Sequence, residues 1–187
     1  MNPLPTADQQ PTRSARPRPR RTRIAGAVDM RVRLVQGLAL LSTGTLAGAF
    51  GYGAANLVPT FNAVPLDMRL SFHSQLMQMN GITMQGAMGI SALSAVVLAA
   101  MTHGHSRRLA GGAGLLALAS FLITRLGNVP IKQWAATSAP ADHAEILARW
   151  EAFNHARTGA AFAAFALLIL LSLRGVEAGR STAGRPQ

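Results

Sequence analysis

Four long apolar runs divide the chain, at 34–57, 82–101, 109–126 and 158–173, and polar or charged residues collect between and outside them. A helix that crosses a bilayer needs about 20 residues at 1.5 Å of rise each. The first two runs satisfy this directly. The third and fourth reach spanning length when Arg125 and Arg157 lie at or just inside the lipid boundary. Lipid gives backbone N–H and C=O groups no partner, so runs of this kind close their hydrogen bonds internally as helices. The predicted class is all-α: a four-helix transmembrane bundle over 30–176, with a disordered basic N-terminal tail at 1–29 and a second disordered tail at 177–187.

Composition strengthens this reading. Apolar residues make up 49% of the chain and charged residues 13%, against about 25% charged in an ordinary soluble domain. The net charge of +11 would suit a nucleic-acid binder, but its distribution does not. Eight Arg residues precede position 34, facing only Asp8 and Asp29, and Arg174, Arg180 and Arg185 crowd the other end. No aromatic residues are interleaved with these charges, so no stacking platform for single strands is present, and no nucleic-acid partner is expected. The first 29 residues are rich in Pro, Arg, Thr, Ala and Gln and carry almost no large apolar side chains, too little to offset the entropy of ordering. Met30, directly before the first apolar run, reads as an alternative initiator. Cysteine is absent, which excludes disulfides, thiolate metal sites and thiol nucleophiles.

The distribution of charge also predicts topology. Arg and Lys accumulate on cytoplasmic loops. The Arg-rich start, the connection with Arg107 and Arg108, and the basic C-terminal tail then face the cytoplasm. The segments 58–81 and 127–157 face outward and hold Asp67, Asp142, Glu145 and Glu151. The expected location is the cell's inner or plasma membrane, multi-pass, with both termini cytoplasmic.

Candidate chemistry gathers on the outward side. His73, Met77, Asn80, Met84 and Met88 recur at offsets of three and four and share one helical face, which suits either a Met-rich packing face or a site. Arg125 lies just before Gly127, a residue suited to a left-handed helix stop, and Pro130 forces Val129 into an extended conformation. Arg125 either snorkels to water or turns inward as an anion binder. Farther on, Ser138, Pro140, Asp142 and Glu145 read as the start of a helix. That helix places His143, Leu147, Trp150, Asn154 and Arg157 on one face and continues into the fourth span. Trp134 and Trp150 suit either an interfacial aromatic belt or stacking on a planar ligand. The spacings of His73, His143, His155, Glu145 and Glu151 match no metal motif, so no metal site is expected. In the first span Gly44, Gly48, Gly51 and Ala55 form a small-residue face, and 111–114 offers another, both suited to close helix approach in lipid.

The segments "RLGNVPI" and "WEAFNHARTGAAFAAFALLIL" resemble the anthrone-oxygenase-like family of small four-helix membrane proteins. The matching positions are Asn128, Pro130, Trp150, Asn154, His155, Arg157 and Thr158. "FHSQLMQMNGITMQ", ahead of the second span, is similar to the family less specifically. The residue after "VPI", usually Asn in the family, is Lys132 here.

Two functions follow. The resemblance implies a cofactor-independent oxygenase of phenolic polycyclic substrates, an oxidoreductase whose partners are the bilayer, an apolar aromatic small molecule and O2. A carbon acid of this kind loses a proton to a base and then reacts with O2 without flavin or metal. His73 or His155 suits the base. Arg157 or Arg125 suits the enolate oxygen. Asn80, Asn128 and Asn154 suit the ring oxygens, and Trp134 and Trp150 suit the ring faces. The alternative is a non-catalytic membrane protein, a small-molecule binder or assembly subunit, in which Arg157 latches the broken backbone near Asn128.

Overall fold

A computed structural model describes residues 20–128 and 143–183, except for the side chains at 20–29, 73, 74, 77–80, 143 and 175–183. All elements among these residues are helical. Helix α1 spans Arg20–Tyr52, passes through a π-helical turn at Gly53–Leu57 and continues as the short α2, Val58–Ala63. Helix α3 spans Leu66–Met101 and α4 spans Gly104–Leu122, the latter ending in a second π-turn, Ile123–Asn128. Helix α5 runs unbroken over His143–Ala183. Four of these helical stretches are long and apolar enough to cross a membrane: Met30–Ala63, Gly81–Met101, Gly104–Asn128 and Ala144–Arg174. The protein is therefore a multi-pass helical membrane protein.

The third and fourth spans are longer than their apolar runs because Arg125 and Arg157 are carried inside the helices. Helix α1 begins directly after Pro19, so it takes in part of the stretch read as an N-terminal tail. The segment 20–29 lacks proline and is rich in Arg and Ala, both good helix formers. At the other end α5 reaches Ala183, within the stretch read as the second tail.

The helices pack as a ring in which α1 touches α3 and α5, and α4 touches the same two neighbours. Chain direction alternates, so the start of α1, the end of α5 and the α3–α4 turn lie at one end. The two π-turns, α2 and the starts of α3 and α5 lie at the other. Near the first end the core is built from alanine and leucine, with Ala39, Leu98, Ala110, Ala113, Ala164 and Leu168 in contact. Small side chains bring the backbones together, which is how helices gain dispersion energy where lipid removes the hydrophobic drive. Thr43 and Ser91 share a buried hydrogen bond of 2.6 Å across α1 and α3, and Gln36 Nε2 donates to Ser172 Oγ at 2.8 Å across α1 and α5.

The glycines divide by what surrounds them. A Cβ on Gly44 would sit 2.8 Å from the Phe165 ring and one on Gly51 2.8 Å from Phe162, while Gly48 meets nothing. The small-residue face of α1 is thus a seat for two α5 phenyl rings rather than a continuous backbone contact. At 111–114 only Gly112 and Gly114 are crowded, by Leu167 and Val96.

Gly127 does not stop a helix in the left-handed region: among the described residues, Gly104 is the glycine with positive φ. Gly127 instead lies buried in the second π-turn, and a Cβ there would stand 2.8 Å from the Phe153 ring. Its lack of a side chain lets α4 and α5 close on each other. Gly127→Ala should therefore lower stability in detergent by about 1–2 kcal/mol, overpacking outweighing the gain in helix propensity. Gly48→Ala should be neutral or stabilising. Equal melting temperatures for the two variants would contradict this reading of Gly127.

Candidate active site

Between the two π-turns, α3 and α5 lies a cavity of about 130 Å³. It sits above the layer of Leu46, Ala47, Phe50, Met88 and Ala161 and below that of Val58, Phe61 and Trp150. Its walls are mostly apolar: Phe50, Leu57, Leu76, Met84 and Met88. Its polar groups are Gln85, Thr124, Asn128, Asn154 and Arg157. A mainly apolar hollow with a few convergent polar groups is the usual form of a small-molecule site.

The π-turns shape it. Each inserts an extra residue into a helical turn, a feature that recurs at functional sites. The first lets Gly53, Leu57 and Val58 all face the hollow, and the second brings Thr124 and Asn128 there. On α5 an ordinary α-helical stripe suffices, since Trp150, Asn154 and Arg157 follow at offsets of four and three.

Arg157 is the centre of the polar group. Its Nε and Nη2 donate to Asn154 Oδ1 at 3.0 and 2.6 Å, and its guanidinium lies 4.5 Å from the centroid of the Phe50 ring. Both partners are neutral. No carboxylate among the described residues lies within ion-pair distance of it, and Glu151, the nearest acid on its own helix, pairs with Arg69 at 2.9 Å. The main chain of Arg157 is anchored separately: its carbonyl accepts from Ser120 Oγ at 3.0 Å. Among the described residues the hydrogen bonds of the guanidinium go to Asn154, and the backbone that follows Asn128 lies outside them.

The two asparagines are each 2% exposed. Both polar side-chain atoms of Asn128 and the Nδ2 of Asn154 have no hydrogen-bond partner among the described residues. A buried amide left unpaired costs about 1–3 kcal/mol, so such groups are exceptional unless something binds there.

The other candidate residues lie differently. Trp150 is 6% exposed and lines the cavity, packed with Val58 and Phe61 rather than standing in an interfacial belt. Arg125 is exposed and outside the cavity wall, and its Nη1 donates to Gln85 Oε1 at 3.0 Å at the rim. His155 is exposed and does not line the cavity. Positions 73 and 80 belong to α3, in register with the stripe that carries Met84 and Met88, while their side chains lie outside the described residues. Trp134, Lys132, Pro130, Ser138 and Pro140 also lie outside them.

The Arg69–Glu151 pair had no signal in the sequence. It joins the start of α3 to α5, with side-chain exposures of 10% and 26%. The two residues stand 82 positions apart, a separation at which no periodicity links them.

A helical bundle long and apolar enough to cross a membrane, with a hollow lined, among the described residues, by an arginine without a counter-charge and by amides without partners, defines a class: an integral membrane protein with a candidate small-molecule site. The chain belongs to the anthrone oxygenase family, whose profile matches residues 72–167. The matched stretch takes in most of α3, all of α4 and the part of α5 that carries Trp150, Asn154 and Arg157. No curated protein and no solved structure matches the chain.

Proposed function

We propose that the protein is a cofactor-independent oxygenase that converts an anthrone-type phenolic polycycle to the corresponding quinone at the cavity between the π-turns. The observation that carries this reading is Arg157, whose charge lines the cavity with only neutral partners among the described residues. A charge removed from water without a counter-ion is costly, so the site favours an anionic ligand. An anthrone supplies one once its ring methylene is deprotonated, because the electron pair moves onto the carbonyl oxygen. Arg157 holds that oxygen, and Asn128 and Asn154 offer their spare amide groups to neighbouring ring oxygens. The carbanion carbon then reduces O2 and bonds to it, forming a hydroperoxide. Loss of water from this leaves a second carbonyl. One oxygen atom enters the product and the other leaves as water, so the four electrons lost by the carbon balance those gained by O2.

His73 is the proposed base, supported by its place on the cavity stripe of α3, with a neutral imidazole suited to proton abstraction near neutral pH. His155, being exposed and off the cavity, fits the role less well. Arg125 is proposed as a rim residue that holds Gln85, with Asn80 and Trp150 contacting the ring system. The arginine-rich end of the bundle is proposed to face the cytoplasm and the cavity end the outer side of the inner or plasma membrane.

The test is oxidation of an anthrone by the purified protein in lipid, followed by quinone absorbance and oxygen uptake. His73→Ala should slow it by about 10²–10⁴-fold, while His155→Ala should leave it near the parent rate. A rate no higher than that of protein-free lipid with any anthrone would overturn the proposal.

A further inference from the structure

Below the candidate active site, toward the arginine-rich end, lies a second and smaller hollow to which all four spans contribute. Five of its eight lining residues are small: Thr43 on α1, Ser91 on α3, Ala117 and Ser120 on α4, and Ala161 on α5. Where four helices present short side chains at one level, the layer does not fill. The hollow belongs to the interior of the bundle, since none of the eight residues is more than 7% exposed. Its upper wall is formed by Phe50 and Met88, and the same two side chains line the cavity of Arg157.

The hydroxyls do not make this a polar site. Thr43 and Ser91 are hydrogen-bonded to each other at 2.6 Å, and Ser120 Oγ donates to the main-chain oxygen of Arg157 at 3.0 Å. The surface left facing the hollow is mostly carbon, from the alanine methyls, the Phe50 ring and the Met88 side chain. A water needs about two to four polar partners to leave bulk solvent, whereas an apolar hollow stays dry and takes up an apolar guest such as xenon. The volume is about 10 Å³, about the least that holds a molecule of water's size. O2 is apolar, dissolves better in hydrocarbon than in water and is little larger than water. The unbranched, flexible Met88 side chain yields the difference.

We propose that this inner hollow is a binding site for one O2 molecule, held against the substrate cavity with Phe50 and Met88 as the partition. O2 dissolved in the bilayer core then meets the substrate from within the bundle. The use made of the O2 rests on the oxygenase reading, while the binding site itself stands on the packing.

The test uses the full-length protein in lipid nanodiscs with carbon-13 methyls on alanine and methionine, and compares methyl relaxation under O2 and under nitrogen. O2 is paramagnetic and speeds the relaxation of methyls near it. Ala113 and Ala164 are internal references: each is 0% exposed, lies about one turn from Ala117 or Ala161 on the same helix, and lines neither cavity. Enhancement at Ala117, Ala161 and Met88 should be at least twofold greater than at these references. Ala161→Val and Ala117→Val, which fill the hollow, should each abolish the difference at the methyls that remain. In anthrone oxidation both variants should raise KM for O2 about threefold and leave kcat at saturating O2 and KM for the anthrone nearly unchanged. Equal enhancement at Ala161 and Ala164, or a water-to-methyl Overhauser signal at Ala117 and Ala161 in its place, would overturn the O2 site. Unchanged KM for O2 in a variant that has lost the enhancement would overturn its role as the source of co-substrate. A parent that keeps the enhancement but oxidises no anthrone would overturn the oxygenase reading and leave the O2 site standing.

Discussion

Arg157→Met should lower the kcat for anthrone oxidation by about 10²–10³-fold, the usual loss when a group stabilising an oxyanion is removed, while the bundle stays about as stable as the parent. The two halves of this expectation have separate physical causes. In catalysis, the enolate charge is present in the transition state and absent from the bound ketone. A fixed cation therefore stabilises the former more, and kcat falls while KM changes little. In folding, three terms compete. Removing a poorly compensated cation from an apolar site is neutral or favourable by about 1–4 kcal/mol. Against that, Asn154 Oδ1 loses both donors it accepts from, at about 1–3 kcal/mol, and Phe50 loses a cation–π contact of about 0.5–2 kcal/mol. The sum lies near zero. Arg157→Lys keeps the charge but not the planar fork that reaches Asn154 through two nitrogens, so it should retain part of the rate. A Met variant that unfolds in detergent would favour a structural latch, and one that oxidises substrate at the parent rate would remove Arg157 from the chemistry.

That this arginine stands beside Asn154 and Trp150 was legible in the sequence, because the three fall on one face of one helix and a helix fixes that geometry. The four spans were legible for a similar reason: lipid leaves an apolar run of sufficient length one backbone solution. Asn128 could be placed at the same end from chain direction alone. The π-turns could not. They differ from an α-helix by one residue per turn, and nothing in "GAANL" or "ITRLGN" demands it. Gly127 misled because glycine after an arginine near a helix end fits a left-handed stop. The true reason for it, the Phe153 ring, lies on another helix. Arg125 and Arg157 were equal candidates by type, and both end up inside spans. Their difference is rotational: the second π-turn leaves Arg125 on the outer surface with Gln85, whereas the α5 stripe carries Arg157 inward. Partner identity across helices, as in Arg69 with Glu151, depends on tertiary register that one sequence does not reveal.

The largest loss of stability should come from Trp150→Ala, at about 3–5 kcal/mol. Trp150 is 6% exposed and packs with Val58 and Phe61, with Leu57, Leu76, Ile146 and Phe153 around them. It thus ties α5 to α2, to the first π-turn and to α3. In lipid the loss is mainly one of dispersion contacts, since an emptied volume gives its lining no partner atoms. Trp150→Phe keeps most of that surface and should cost about 1–2 kcal/mol. The effect on the site should be the opposite of that of Arg157. The indole forms a wall of the cavity; in the proposed reaction it touches the ring system in ground state and transition state alike, so its removal should raise KM and leave kcat within a few-fold. An exposed interfacial tryptophan would behave otherwise, because its truncation removes few packed contacts. If Trp150→Ala melts with the parent and binds substrate as tightly, the indole lies at the lipid surface, and the cavity end of the bundle is assembled differently from the packing of Trp150 on Val58 and Phe61.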